Sequence, residues 1–116
     1  MLQITPHMKI YGAKDPISFH TRFDGTAAIC RNIFNKDPYD GSLFLFINHR
    51  RTMMRCYLFD GQREWLCDSR IAKGRIPFWI RTDQDLITLL SHQLYLLLKG
   101  ADPDGVKVPQ DWKKIN

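Results

Sequence analysis

The sequence predicts a single α+β domain in which an antiparallel β-meander of three to five strands packs with two main helices. Three apolar runs alternate with turn signals over residues 43–75, which is typical of consecutive antiparallel strands. Apolar residues recur at helical spacing over residues 22–34, and a leucine-rich run ends at Gly100. The chain of 116 residues with 44% hydrophobic content can bury one core without a metal or disulfide. We expect one domain over residues 1–100 and an irregular polar tail over residues 101–116.

The strands differ in how much burial their sequences predict. Residues 8–12 form a short strand candidate that could add to the sheet. Residues 43–47 are apolar on both faces, so we place them in an inner strand. Residues 76–80 read as an edge strand or an extended segment, because Pro77 cannot donate a ladder hydrogen bond.

The strongest local signal in the chain is a hairpin at Asp60-Gly61. This pair lies between two apolar runs and is typical of a two-residue turn with positive φ at both positions. Such a turn would place Phe59 opposite Gln62 and would fix the register of both strands.

One face of this hairpin is the better candidate for the core. It carries Leu58, Cys56 and Trp65, whereas the other face is mixed and places Arg55 near Glu64 and Asp68. We expect the mixed face to be exposed to solvent or covered by a partner. The predicted core comprises Trp65, Cys56, Leu58, Leu45 or Phe46, Ile29, Ile33, Leu90 and Leu94.

Two helices complete the predicted fold. Helix one covers residues 22–34, and Gly25 either delays its start or lets a backbone pack closely against it. Helix two runs over residues 83–99 from a capping box at Thr82 to Gly100 as the C′ residue. Its leucines cover more than half of the helix circumference, so they would contact the sheet and either helix one or a second subunit.

The chemistry-bearing residues exclude most enzyme classes. The three cysteines form no CxxC pair, which favours buried, reduced thiols in a cytoplasmic protein. The four histidines are scattered, and the sequence has neither GxSxG nor a phosphate-binding GxxxxGKS motif. Several aspartates could form a two-metal nuclease centre, but turns already explain most of them. We expect no catalytic residue, metal or cofactor, no secretory signal at the N-terminus and no membrane span.

Positive charge is the remaining functional signal. A net charge of +5 and a pI near 9.3 favour an acidic partner, although a merely soluble basic surface is the alternative. The candidate nucleic-acid-binding residues are Arg50, Arg51, Arg55, Arg70, Lys73 and Arg75. The turns at residues 50–51 and 73–75 are separated by two strands, so a meander would bring them to the same end of the sheet. These cations would bind phosphates, or they would form a solvated rim with local ion pairs.

Several short runs together resemble a known family. They are Phe23-Asp24-Gly25, Asp37-Pro38-Tyr39, Gly41, Leu43-Phe44-Leu45-Phe46, Asn48, Arg50-Arg51, Phe59-Asp60-Gly61, Trp65, Arg70 and Lys73-Gly74-Arg75. In order and spacing they are similar to the TnpB-type accessory protein, made by the second open reading frame of bacterial insertion sequences of the sixty-six family. The resemblance covers roughly residues 8–79. The chain departs from the usual pattern at His20-Thr21, Ile47, His49 and Ser69, where basic residues are common in that family.

The resemblance implies a non-enzymatic role in transposition, beside a separate DDE transposase encoded by the same element. Its implied partner is that transposase. From the basic residues we expect DNA as a further partner, bound weakly and with low sequence specificity, and a second copy of the chain is another candidate. The alternatives are a purely protein-binding module and a diverged, inactive element remnant.

Overall fold

The computed structural model describes residues 7–105. In chain order the elements are β1 (Ile10–Ala13), α1 (Phe23–Asn32), β2 (Leu43–Ile47), β3 (Met53–Phe59), β4 (Glu64–Arg70), β5 (Leu86–Leu89) and α2 (Ser91–Leu98). The five strands form one sheet in the order β4-β3-β2-β1-β5. β1 is parallel to β2, and the other neighbouring strands are antiparallel. The α+β class and the meander of β2, β3 and β4 are confirmed, while residues 106–116 of the predicted tail lie outside the described residues.

The hairpin between β3 and β4 forms where the sequence predicts it, but the predicted register is wrong by two residues. Phe59 pairs with Glu64, not with Gln62. The turn is shifted by one position because the Asp60 side chain organises it: its Oδ1 accepts the N–H groups of Gln62 and Arg63 at 2.9 and 2.8 Å. A shift of two residues leaves each side chain on its predicted face of the sheet.

The second half of the sheet differs from the prediction, because the first half of predicted helix two is a strand. β5 pairs with β1 in antiparallel register, with Ile10 opposite Leu89. The helix begins only at Ser91, where Gln93 Oε1 accepts the N–H of Leu90 at 2.8 Å. The predicted end is confirmed, since Gly100 follows α2 with a φ of 77°.

Both faces of the sheet are covered by the chain itself. The prediction that one face is exposed to solvent or covered by a partner is therefore wrong. Helix α1 of the same chain packs on the mixed face, where Tyr57 of β3, Phe44 of β2 and Cys30 of α1 are fully buried. Helix one starts at Phe23, close to its predicted position, so Gly25 does not delay it. The close neighbour of Gly25 is a side chain and not a backbone, because a Cβ there would lie 2.3 Å from Thr21 Cγ2.

The opposite face is the predicted core face, covered by α2 and by residues 76–80. Residues 76–80 form no strand, yet Ile76, Trp79 and Ile80 are buried against the sheet. Trp79 is 4% exposed, and its Nε1 donates to the carbonyl oxygens of Ala13 and Lys14 at 3.0 and 3.1 Å. This extended segment contributes side chains to the core but forms no ladder hydrogen bonds with the sheet.

The predicted core is right for the inner strands and wrong at the periphery. Leu45, Phe46, Leu58 and Leu94 are buried, and Cys56 and Ile29 are half-buried. Trp65 is also only half-buried because β4 is an edge strand, and its Nε1 donates to Asp60 Oδ2 at 2.7 Å. Ile33 and Leu90 are 59% and 60% exposed, since each lies just beyond the packed part of its helix.

Candidate nucleic-acid interface

The turn between β2 and β3 presents the first two candidate arginines. Asn48 organises this turn, because its Oδ1 accepts the N–H groups of Thr52 and Met53 at 2.9 and 3.0 Å. Arg51 adopts a φ of 59°, a left-handed conformation that costs a non-glycine residue on the order of 1–2 kcal/mol. Arg50 is exposed at the tip of the turn. A short, internally bonded turn therefore holds both guanidinium groups at one end of the sheet.

The loop that follows β4 returns to this turn. The N–H of Ile71 donates to the Thr52 carbonyl at 2.8 Å, and the N–H of Ile76 donates to the Arg51 carbonyl at 2.7 Å. Arg75 Nε donates to the Arg50 carbonyl at 3.3 Å. The two basic turns therefore meet at the same end of the sheet, which confirms the predicted topology.

We call this cluster the basic pole; it consists of Arg50, Arg51, Arg70, Lys73 and Arg75. Arg51 is half-buried and the other four are exposed. Among residues 7–105, no carboxylate lies within 4.0 Å of any basic-pole nitrogen. By contrast, Arg81 is paired with Asp102 and Asp104 at 2.6 and 3.2 Å. The charge of the basic pole is therefore not neutralised by local ion pairs within the described chain.

The structure separates Arg55 from the other candidate residues. Its side chain is 0% exposed, and its Nε and Nη2 donate to the two oxygens of Asp68 at 2.7 and 2.9 Å. The remaining N–H groups donate to the carbonyl oxygens of Phe19 and Thr21 and to Thr26 Oγ1. Because every N–H group of the guanidinium donates to an acceptor within the protein, Arg55 is unavailable to a phosphate in this fold. It instead anchors residues 19–26 to the sheet.

A groove of about 540 Å³ borders the basic pole. It lies between residues 17–22 and the β2–β3 turn, which meet because Ile17 forms an isolated parallel bridge with Asn48. Sequence reasoning missed Arg22 and His20 as neighbours of the basic pole, whereas His49 directly precedes Arg50 in the same turn. No local pattern could identify Arg22 and His20, since the non-local bridge brings their segment to the turn.

The described residues offer no arrangement typical of a reactive centre. Burial raises the pKa of the Cys30 and Cys56 thiols to about 12, so both are protonated at neutral pH and are poor nucleophiles. Burial also raises the pKa of Tyr57, whose hydroxyl donates to Glu64 Oε1 at 2.6 Å. No group of three or more metal-ligating side chains occurs within residues 7–105. Over the same residues, no helix is long and apolar enough to cross a membrane.

The fold and the basic pole define a small α+β protein with a cluster of cations, without carboxylate partners among residues 7–105, at one end of a mixed sheet. The sequence profile of a family described as IS66 Orf2 like protein matches residues 8–108, and the chain belongs to this family. Membership places it among the accessory proteins of insertion sequences and confirms the resemblance found in the sequence.

Two proteins of Sinorhizobium fredii (strain NBRC 101917 / NGR234) are similar to this chain. Uncharacterized protein y4hO is 26% identical over 102 residues, which is 88% of each chain. Uncharacterized protein y4jC is 28% identical over 100 residues, which is 86% of this chain and 85% of the relative. No solved structure matches the sequence.

Proposed function

We propose that this protein supports transposition of its insertion element by binding DNA through the basic pole, without catalysing a reaction itself. One observation carries the proposal: two turns fixed to each other by hydrogen bonds, together with Arg70 at the end of β4, present five cations that lack a carboxylate partner within residues 7–105. Exposed cations at fixed spacing suit a phosphate backbone, because guanidinium groups form bidentate hydrogen bonds with phosphate oxygens.

The shape of the basic pole favours contacts with the DNA backbone over contacts with bases. Base edges in the major groove are read by an inserted helix or a two-stranded ribbon. The basic pole consists of two turns, and both described helices begin or end outside it. Phosphate contacts position a protein but carry no sequence information. The expected binding is therefore weak and largely independent of DNA sequence.

A contact with the transposase of the same element is the second candidate function. The observation that favours it is separate from the basic pole: helix α2 exposes large apolar side chains. Tyr95 and Leu98 are 56% and 49% exposed, and Leu90 lies before the first turn of the helix. Exposed apolar side chains of this size are typical of surfaces that bind proteins.

A salt titration of DNA binding tests the first function. The parent should bind duplex DNA at low salt, and its affinity should fall steeply as salt rises because bound phosphates release counterions. The variant Arg50→Ala/Arg51→Gly/Arg75→Ala should lose this binding while its melting temperature stays close to the parent value. Glycine is used at position 51 because the backbone there has a positive φ. Each single substitution should lower the log–log salt slope by about 0.9.

A matched control removes three exposed cations elsewhere, with Lys9→Ala/Arg31→Ala/Arg63→Ala. It changes the net charge equally, and Lys9 and Arg63 lie at the opposite end of the sheet. Arg31 lies near that end as well, since it contacts the ring of Tyr39, which packs on Phe59. The control should retain most of the affinity. Equal losses in both variants would indicate a general charge effect, and a parent that binds no DNA at low salt would leave the transposase contact as the function of this protein.

A further inference from the structure

The groove beside the basic pole is large enough to accept a single base. Its volume is about 540 Å³, and it is open to solvent, so a base could enter it while still attached to a strand. A DNA duplex is far too wide to enter such a space. The residues relevant to ligand binding are Phe19, His20, Arg22, His49, Arg50 and Asp68.

Three rings in this lining provide stacking surfaces. His20 and His49 are exposed, and Phe19 is half-buried. Arg55 fixes Phe19 from within the fold, because its guanidinium carbon lies 4.3 Å from the ring centroid and its Nη2 donates to the Phe19 carbonyl at 3.0 Å. A base that is not stacked in a helix can stack on aromatic side chains and on exposed imidazoles.

The charges around the groove favour a nucleotide that remains part of a DNA strand. Arg22 and Arg50 lie on opposite walls, and Arg50 also belongs to the basic pole. The single carboxylate among the groove residues, Asp68, is already bound by both donors of Arg55 and lies 3.9 Å from Arg22 Nη1. Its negative charge is therefore compensated, and the groove can accept phosphates at its rim.

We propose that this groove binds an unpaired base of a DNA strand whose neighbouring phosphates lie on the basic pole. The preferred substrate is then a duplex with a single-stranded extension, with the duplex backbone on the basic pole and the extension entering the groove. This inference rests on the proposed DNA-binding function and adds to it the kind of DNA end that the protein selects.

The test compares two DNA duplexes that differ only in their extension. One carries a short single-stranded extension of ordinary nucleotides, and the other carries an extension of abasic nucleotides with the same number of phosphates. The parent should bind the first about tenfold more tightly, within the range that base–aromatic stacking supplies. Fluorescence anisotropy of labelled DNA at fixed salt measures this ratio.

The variant His20→Ala/His49→Ala should bind both duplexes with similar affinity. The matched control His7→Ala/His92→Ala removes two exposed histidines that do not line the groove, and it should keep the preference of the parent. Melting temperatures of both variants should match the parent, since all four side chains are exposed.

The outcomes separate this inference from the function on which it rests. If the parent binds both duplexes equally, or if the His20→Ala/His49→Ala variant keeps the preference, the groove does not bind a base, and the proposal that the basic pole binds DNA is unaffected. If the parent binds neither duplex at low salt, both proposals are contradicted.

Discussion

Replacing Arg55 with alanine is expected to lower the free energy of unfolding by about 3–5 kcal/mol, because several acceptors of a fully buried guanidinium lose their hydrogen bonds, at about 1–3 kcal/mol for each one left buried. The substitution leaves Asp68 without its two strongest donors. It also leaves the carbonyl oxygens of Phe19 and Thr21 without a hydrogen bond from the sheet. Residues 17–22 would then lose their main attachment beside β3.

Equilibrium denaturation followed by circular dichroism measures this loss. Arg63→Ala is the matched control, because Arg63 is an exposed arginine in the turn of the same hairpin and should change stability by no more than about 0.5 kcal/mol. The free energy of unfolding of Arg55→Lys should lie between those of Arg55→Ala and Arg63→Ala, since an ammonium group keeps the charge but cannot reproduce the fork geometry of the guanidinium. An Arg55→Ala variant as stable as the control would show that the buried network contributes nothing to the fold.

The second large effect is expected at Trp79. Its replacement by alanine should lower the free energy of unfolding by about 3–5 kcal/mol. Trp79 is buried in the core cluster that includes residues of the sheet and of α2, and its Nε1 holds residues 76–80 against the end of β1. The matched comparison is Trp65→Ala, which should cost clearly less because Trp65 is half-buried on the edge strand β4. Thermal unfolding of the two variants ranks them. Equal costs, or a larger cost at Trp65, would contradict the observed difference in burial.

The sequence was most informative where structure depends on local chemistry. The Asp60-Gly61 turn, the apolar β2 run and Gly100 each determine an element through a few neighbouring residues. The shared end of the two basic turns followed from these elements, because antiparallel strands alternate in direction. The main features of the meander and the position of the basic pole were therefore predictable.

The features that sequence reasoning missed depend on contacts between distant residues. Leu86–Leu89 continues the leucine-rich spacing that predicted helix two, although Ile87 and Thr88 are β-branched, and its pairing with β1 makes it a strand. Arginine is among the residues least often fully buried, so Arg55 in a mixed strand was read as exposed. Its acceptors on residues 19–26 reach it because Ile17 pairs with Asn48 and α1 packs on the sheet. The same bridge creates the groove, which therefore had no signature along the chain.

The most direct measurement of the central claim is a map of amide chemical-shift changes as duplex DNA is added to isotopically labelled protein. Binding at the basic pole predicts the largest changes in residues 49–52 and 70–75, and their loss in Arg50→Ala/Arg51→Gly/Arg75→Ala. Changes centred on α2 or on the turn at residues 60–63, or no changes at low salt, would contradict the assignment of DNA binding to the basic pole.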